Sequence, residues 1–175
     1  LGNHEFMCLR YFAPDALEKH IQHWNRNGNA TTLEGFNKLT EQEKQETLDF
    51  LRALPTHFEI NVNGQDFYLV HGLPADTVYD EVWFRPYKDP IRTIPNCQLI
   101  IGHTPVSCFV HTETEAYSRS DEEERAYVQE MCERGELFSI FHHPQYIDID
   151  CCCGYDFPNR RLACLRLEDM EEFYV

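Results

Sequence analysis

Basic residues are scarce in this sequence: 15 Lys plus Arg stand against 30 Asp plus Glu, for a formal net charge of −15 and a pI near 4.9. Nucleic-acid partners are held by basic stripes that neutralise phosphates, and anionic membranes by polybasic patches, so both are excluded as partners. Long apolar runs are missing too. No window approaches the roughly 18 apolar residues of a membrane-spanning helix. The opening Leu1-Gly2-Asn3-His4-Glu5 has neither the basic flank nor the apolar core of a secretory signal. No Cys-x-x-Cys pair occurs among Cys8, Cys97, Cys108, Cys132, Cys151, Cys152, Cys153 and Cys164. Side chains of successive strand residues point to opposite faces, so Cys151, Cys152 and Cys153 on a strand cannot converge on one tetrahedral zinc. The cysteines therefore read as small apolar core residues of a reducing, cytoplasmic compartment. Internal repeats and low-complexity tracts are absent as well.

What is present suffices for one domain over residues 1–175. Apolar residues make up 42% of the chain, and this length buries roughly two thirds of its unfolded surface without a disulfide scaffold. Leu17, Ile21 and Trp24 recur at helical spacing and predict a helix over about 14–24, stopped at Asn27-Gly28. Thr40-Glu41-Gln42-Glu43 is a capping box, and Leu48, Leu51 and Leu54 mark the buried stripe of a second helix that Pro55 ends. The period then becomes that of strands. Residues 57–62 and 65–70 flank Asn63-Gly64, the dipeptide of a type I′ hairpin, whose central residues both need positive φ. An apolar strand at Cys97–Ile101 follows, then strands at about 137–141, 145–149, 162–167 and 172–175. Residues 112–136 form an acidic insertion. With His111 as the start, it holds nine acids against three arginines, net −6, and Ser120-Asp121-Glu122-Glu123 signals a short helix. A solvated excursion is expected there. Helices first and strands afterwards predict an α/β fold of the layered α+β kind, with helices to one side of a sheet-rich core.

Three strings place a metal-competent side chain beside a glycine at the end of an element: Gly2-Asn3-His4-Glu5, Val70-His71-Gly72 and Gly102-His103-Thr104-Pro105. Glycine lets the backbone pass close to a ligand, and loops at strand ends hold ions and substrates. Histidine with a neutral amide oxygen and few thiolates suits Mn, Fe or Zn better than Ca.

In this order the three strings resemble the C-terminal part of the metallophosphoesterase (calcineurin-like) pattern. The chain is most similar to its phosphoprotein phosphatase branch and to the small bacterial and bacteriophage lambda-type serine/threonine phosphatases. Trp24 with Asn27-Gly28, the hairpin into His71, Trp83-Phe84-Arg85 and Ile147-Asp148 extend the match over nearly the whole chain; the acidic insertion lies outside it. The resemblance implies a β-sandwich flanked by helices. It makes Asn3, His71 and His103 ligands of one ion in a binuclear centre, with Mn favoured over Fe or Zn. His4 would be the general acid that protonates the leaving alcohol, and Arg85 would clamp phosphoryl oxygens with its planar fork. Hydrolysis would be direct, by hydroxide bridging two ions roughly 4 Å apart, on a phosphorylated protein or a small phosphoester. Two such ions bring up to about +4 into the cleft and reverse the local field, so an acidic chain can still hold one phosphoryl group.

The family's Gly-Asp-x-His and Gly-Asp-x-x-Asp-Arg motifs do not occur. The resemblance therefore implies a fragment lacking two strand–loop–helix units, about 60 residues, and little or no catalysis from the chain by itself. The alternatives are a nucleotide or dinucleoside polyphosphate hydrolase or phosphodiesterase of the same superfamily, and a non-catalytic interaction module. Many phosphodiesterase relatives carry Gly-His-x-His; Pro105 in that position leans toward the phosphatase branch.

Other residues read more plainly. His20 and His23 mark a solvated helix face, and His142-His143-Pro144 a turn between strands. Trp83 packs beneath Arg85, and His57 carries no motif. Asp148 and Asp150 share one strand face; they are either strand-end carboxylates meeting solvent or a backbone amide, or acids that support the site.

Overall fold

The computed structural model describes residues 1–112 and 116–175, with the side chain of His111 left aside. Two compact units divide the chain, Leu1–Thr56 and His57–Val175.

The first unit is helical: α1 (Asn3–Tyr11), α2 (Glu18–Arg26), α3 (Ala30–Phe36) and α4 (Glu41–Ala53). α4 begins where its capping box predicts. Glu43 N–H donates to Thr40 Oγ1 at 3.3 Å, and Thr40 N–H donates to Glu43 Oε2 at 2.8 Å, so two otherwise orphaned donors are satisfied reciprocally. The helix expected over 14–24 starts only at Glu18. His20 explains the shift: its Nδ1 accepts the Leu17 N–H at 3.1 Å and caps the helix there, so His20 serves the helix end and is half-buried, not a solvated face. Trp24 is buried against Tyr11, ring centroids 5.2 Å apart, and Phe12 packs on Phe36 at 4.5 Å. These aromatic contacts fasten α1 and α3, two helices without a long apolar stripe to announce them.

The second unit holds β1 (His57–Val62), β2 (Gln65–Val70), α5 (Val78–Trp83), β3 (Cys97–Ile101), β4 (Phe109–His111), β5 (Ala116–Ser118), α6 (Asp121–Glu133), β6 (Phe141–His143), β7 (Tyr146–Asp148), β8 (Ala163–Arg166) and β9 (Glu171–Tyr174). Five strands form one mixed sheet in the order β1-β2-β3-β7-β6, with β2, β3 and β7 parallel and the two edges antiparallel. The fold is thus of the α/β class. The hairpin forms in the expected register, His57 opposite Val70, with Asn63 and Gly64 at φ +53° and +87° as a type I′ turn requires. Alternation along the central strands feeds two cores, because strands covered on both faces bury every residue. Phe67, Ile100 and Ile147 enter one, with Val128 and Met131 of α6; Tyr68, Val70, Leu99, Ile101 and Tyr146 enter the other.

Several expectations need correction. The acidic stretch is expected to be a solvated excursion, yet α6 buries Val128 and Met131 in the core, its apolar residues recurring at i, i+3, and while Asp121, Glu122 and Glu123 are exposed, Glu124 is half-buried and accepts from Ser107 Oγ and Cys108 Sγ. Residues 113–115 of that stretch lie outside the described residues. The strand expected over 137–141 starts at Phe141; Phe138 and Ile140 fill the core from irregular backbone, where the Phe138 N–H bonds the Asn159 carbonyl at 3.0 Å. His142 and His143 lie in β6 paired with β7, so the turn falls at Pro144-Gln145; His142 Nε2 sits 2.6 Å from Glu172 Oε1. Cys151, Cys152 and Cys153 are not a strand. They turn after β7, with Cys152 at φ +66°; Cys151 and Cys152 are buried, whereas Cys153 and Cys164 are exposed.

Candidate functional site

β2 and β3 run parallel, and each ends on a histidine string, so the register decides whether the two meet. Leu69 stands opposite Ile100, which carries His71 alongside Gly102, and the Gly102 N–H donates to the His71 carbonyl at 3.0 Å. The imidazoles of His71 and His103 lie side by side, centroids 4.9 Å apart, at the carboxyl ends of adjacent parallel strands. Open α/β sheets hold ligands at such ends. His103 occupies the left-handed region at φ +62°, and the Thr104 N–H closes back on the Gly102 carbonyl at 2.6 Å. A backbone conformation that costs a non-glycine residue about 1 kcal/mol is kept where the surrounding structure over-determines it.

Arg85 reaches the same place from the loop after α5. Its Nη1 donates to the His103 carbonyl at 3.3 Å, and its own N–H donates to Asp89 Oδ2 at 2.8 Å. The indole of Trp83 meets the His103 ring edge-on at 5.5 Å, so Trp83 packs on the histidine as well as preceding the arginine. Gly72, just after His71, has no room for a side chain: a Cβ there would lie 2.7 Å from the Glu81 carbonyl oxygen and 2.8 Å from that of Phe84. Its N–H donates to that Glu81 oxygen at 2.8 Å. The close approach of strand end to α5 is therefore what the glycine of Val70-His71-Gly72 is for.

α5 itself carries a buried acid that the motifs do not disclose. Glu81 is 5% exposed; its Oε1 accepts the Tyr68 hydroxyl at 3.2 Å and lies 3.1 Å from His57 Nδ1. Burial, and then Glu81, hold the Tyr68 hydroxyl far above its ordinary pKa, so it stays a donor. The sequence does carry one signal for this helix, Thr77-x-x-Asp80, whose hydroxyl accepts the Asp80 N–H at 3.1 Å.

Asp148 and Asp150 each accept a backbone amide, from Asp150 and Cys152, and Asp148 does so away from solvent. Asp148 is fully buried at the end of β7, opposite Ile101 of β3; its Oδ1 accepts the Asp150 N–H at 3.0 Å, and among the described residues its Oδ2 has no hydrogen-bond partner. Burial raises its pKa well above the ordinary carboxylate value; the Asp150 N–H opposes that, Asp150 adds to it, and the Arg85 charge pulls it back. Asp150 is raised by burial and lowered by its bond to the Cys152 N–H and by Arg85. Thr104 Oγ1, next to His103, is likewise buried without a partner. Burial, then Glu124, pushes the Cys108 thiol up to about 12, and burial puts Cys152 at about 11, so neither supplies a thiolate at neutral pH.

Of the residues singled out in the sequence, the structure brings together His71, His103 and Arg85. Asn3 and His4 open α1 of the first unit, Asn3 half-buried and His4 exposed. Among the described residues no group of three His, Cys, Asp or Glu side chains gathers around one point. The oxygens Thr104 Oγ1 and Asp148 Oδ2, buried without a hydrogen-bond partner among the described residues, leave polar capacity near the strand ends where the two imidazoles stand. Among the described residues no helix is long and apolar enough to cross a membrane. No protein-family model matches the chain, and no curated protein matches it either.

Proposed function

We propose that the chain is a part of a metal-dependent phosphomonoesterase of the serine/threonine protein phosphatase type. One observation supports this most: two strand-end imidazoles 4.9 Å apart, with the guanidinium of Arg85 hydrogen-bonded to the backbone of one of them. His71 and His103 would hold the ion through ring nitrogens. The ion, Mn by preference, would polarise a phosphoryl oxygen and lower the pKa of the attacking water. Arg85 would hold the other phosphoryl oxygens in its planar fork and offset charge that builds on phosphorus. Substrates would be phosphorylated proteins or small phosphoesters.

The sequence offers no Gly-Asp-x-His motif, so binding rather than turnover is the property to measure on this chain. Isothermal titration with inorganic phosphate should show Mn-dependent binding. Arg85→Ala should weaken it roughly tenfold or more, the worth of a hydrogen bond to a charged group. Phosphate binding that ignores both Mn and Arg85 would overturn the reading.

A further inference from the structure

α5 touches the proposed site in three places. The Glu81 carbonyl takes the Gly72 N–H behind His71 at 2.8 Å; Trp83 lies edge-on to His103 at 5.5 Å; and Arg85, two residues past the helix, donates to the His103 carbonyl at 3.3 Å. Six residues make a helix too short to hold itself in place. Something must fix it on the sheet. Val82 supplies apolar burial, fully enclosed, but apolar contact is non-directional. Besides the backbone bond from Gly72, the directional tie that a side chain supplies is the Glu81 carboxylate, which meets His57 of β1 at 3.1 Å and Tyr68 of β2 at 3.2 Å, the two rings stacked at 4.7 Å. A buried acid costs stability unless hydrogen-bonded, so its presence at a position that packing alone could fill with an apolar residue calls for a role.

We propose that Glu81 is a positioning residue: by anchoring α5 to β1 and β2 it holds His71, His103 and Arg85 in one frame for a phosphoryl ligand. This rests on the phosphatase reading, and the test separates the two. In the full chain, Glu81→Ala should weaken Mn-dependent binding of inorganic phosphate about tenfold, the low end of what supporting groups around metal sites contribute, with circular dichroism showing the variant folded. It should also shift the ring signals of His103 in metal-free long-range 1H–15N spectra, since Trp83 moves off that ring. Glu81→Gln keeps an acceptor for the Tyr68 hydroxyl and should stay within about threefold of the parent. Should Glu81→Ala fail to fold, Tyr68→Phe removes one tie without leaving a large cavity and should shift the same signals. Folded variants with parental phosphate affinity and unmoved His103 signals would overturn the proposal. A parent chain that binds no phosphate while Glu81→Ala still moves His103 would sink the phosphatase reading and leave the positioning role standing.

Discussion

Asp148 is a carboxyl with no exposure and, among the described residues, one oxygen without a hydrogen-bond partner. Its pKa is raised above the unfolded value, so the folded state binds its proton more tightly than the unfolded chain does. The contribution is therefore fully favourable below the unfolded carboxylate pKa and is lost as pH rises through the folded one. Asp148→Asn keeps the acceptor for the Asp150 N–H and removes the ionisation. Urea denaturation should find it more stable than the parent at neutral pH, with the gain shrinking as pH falls; an equal effect at every pH would contradict the account. Gly72 is the other residue whose identity is dictated locally. Gly72→Ala forces a Cβ onto two carbonyl oxygens, so it should lose about 1–3 kcal/mol by the same measurement, as overpacking does.

At the scale of elements, helix ends are written plainly where side chains cap them. Thr40→Ala removes the acceptor for the Glu43 N–H and should destabilise the first unit by about 1 kcal/mol in a thermal melt. That is also why α4 and α6 are legible in the sequence: Thr40 and Ser120 each open a capping box, and both helices begin one residue later. The hairpin is legible for a related reason, since Asn63-Gly64 fixes turn and register together. β7 lies at Tyr146–Asp148, inside the strand expected over 145–149, whereas α5 is six residues long and β4 to β6 are three residues each, too short for period to speak. Their positions follow from tertiary contacts. Phe138 and Ile140 show the converse: apolar alternation that reads as a strand, buried without joining a ladder.

For the whole molecule, Val70-His71-Gly72 and Gly102-His103 mark the two strand ends that the fold brings together. They could not say that His71 and His103 would stand side by side; the parallel pairing of β2 with β3 decides that, and parallel pairing leaves no local mark. Glu81 and the burial of Asp148 are invisible for the same reason, being set by which helix and strand lie opposite. The most direct measurement of the central claim is a titration of the full chain with Mn(II), followed through paramagnetic broadening of the imidazole resonances. The account predicts that His71 and His103 broaden together at one stoichiometric equivalent, and that His71→Ala or His103→Ala abolishes the effect on the remaining ring. Independent broadening of the two rings, or broadening first at His20, His23 or His142, would contradict it.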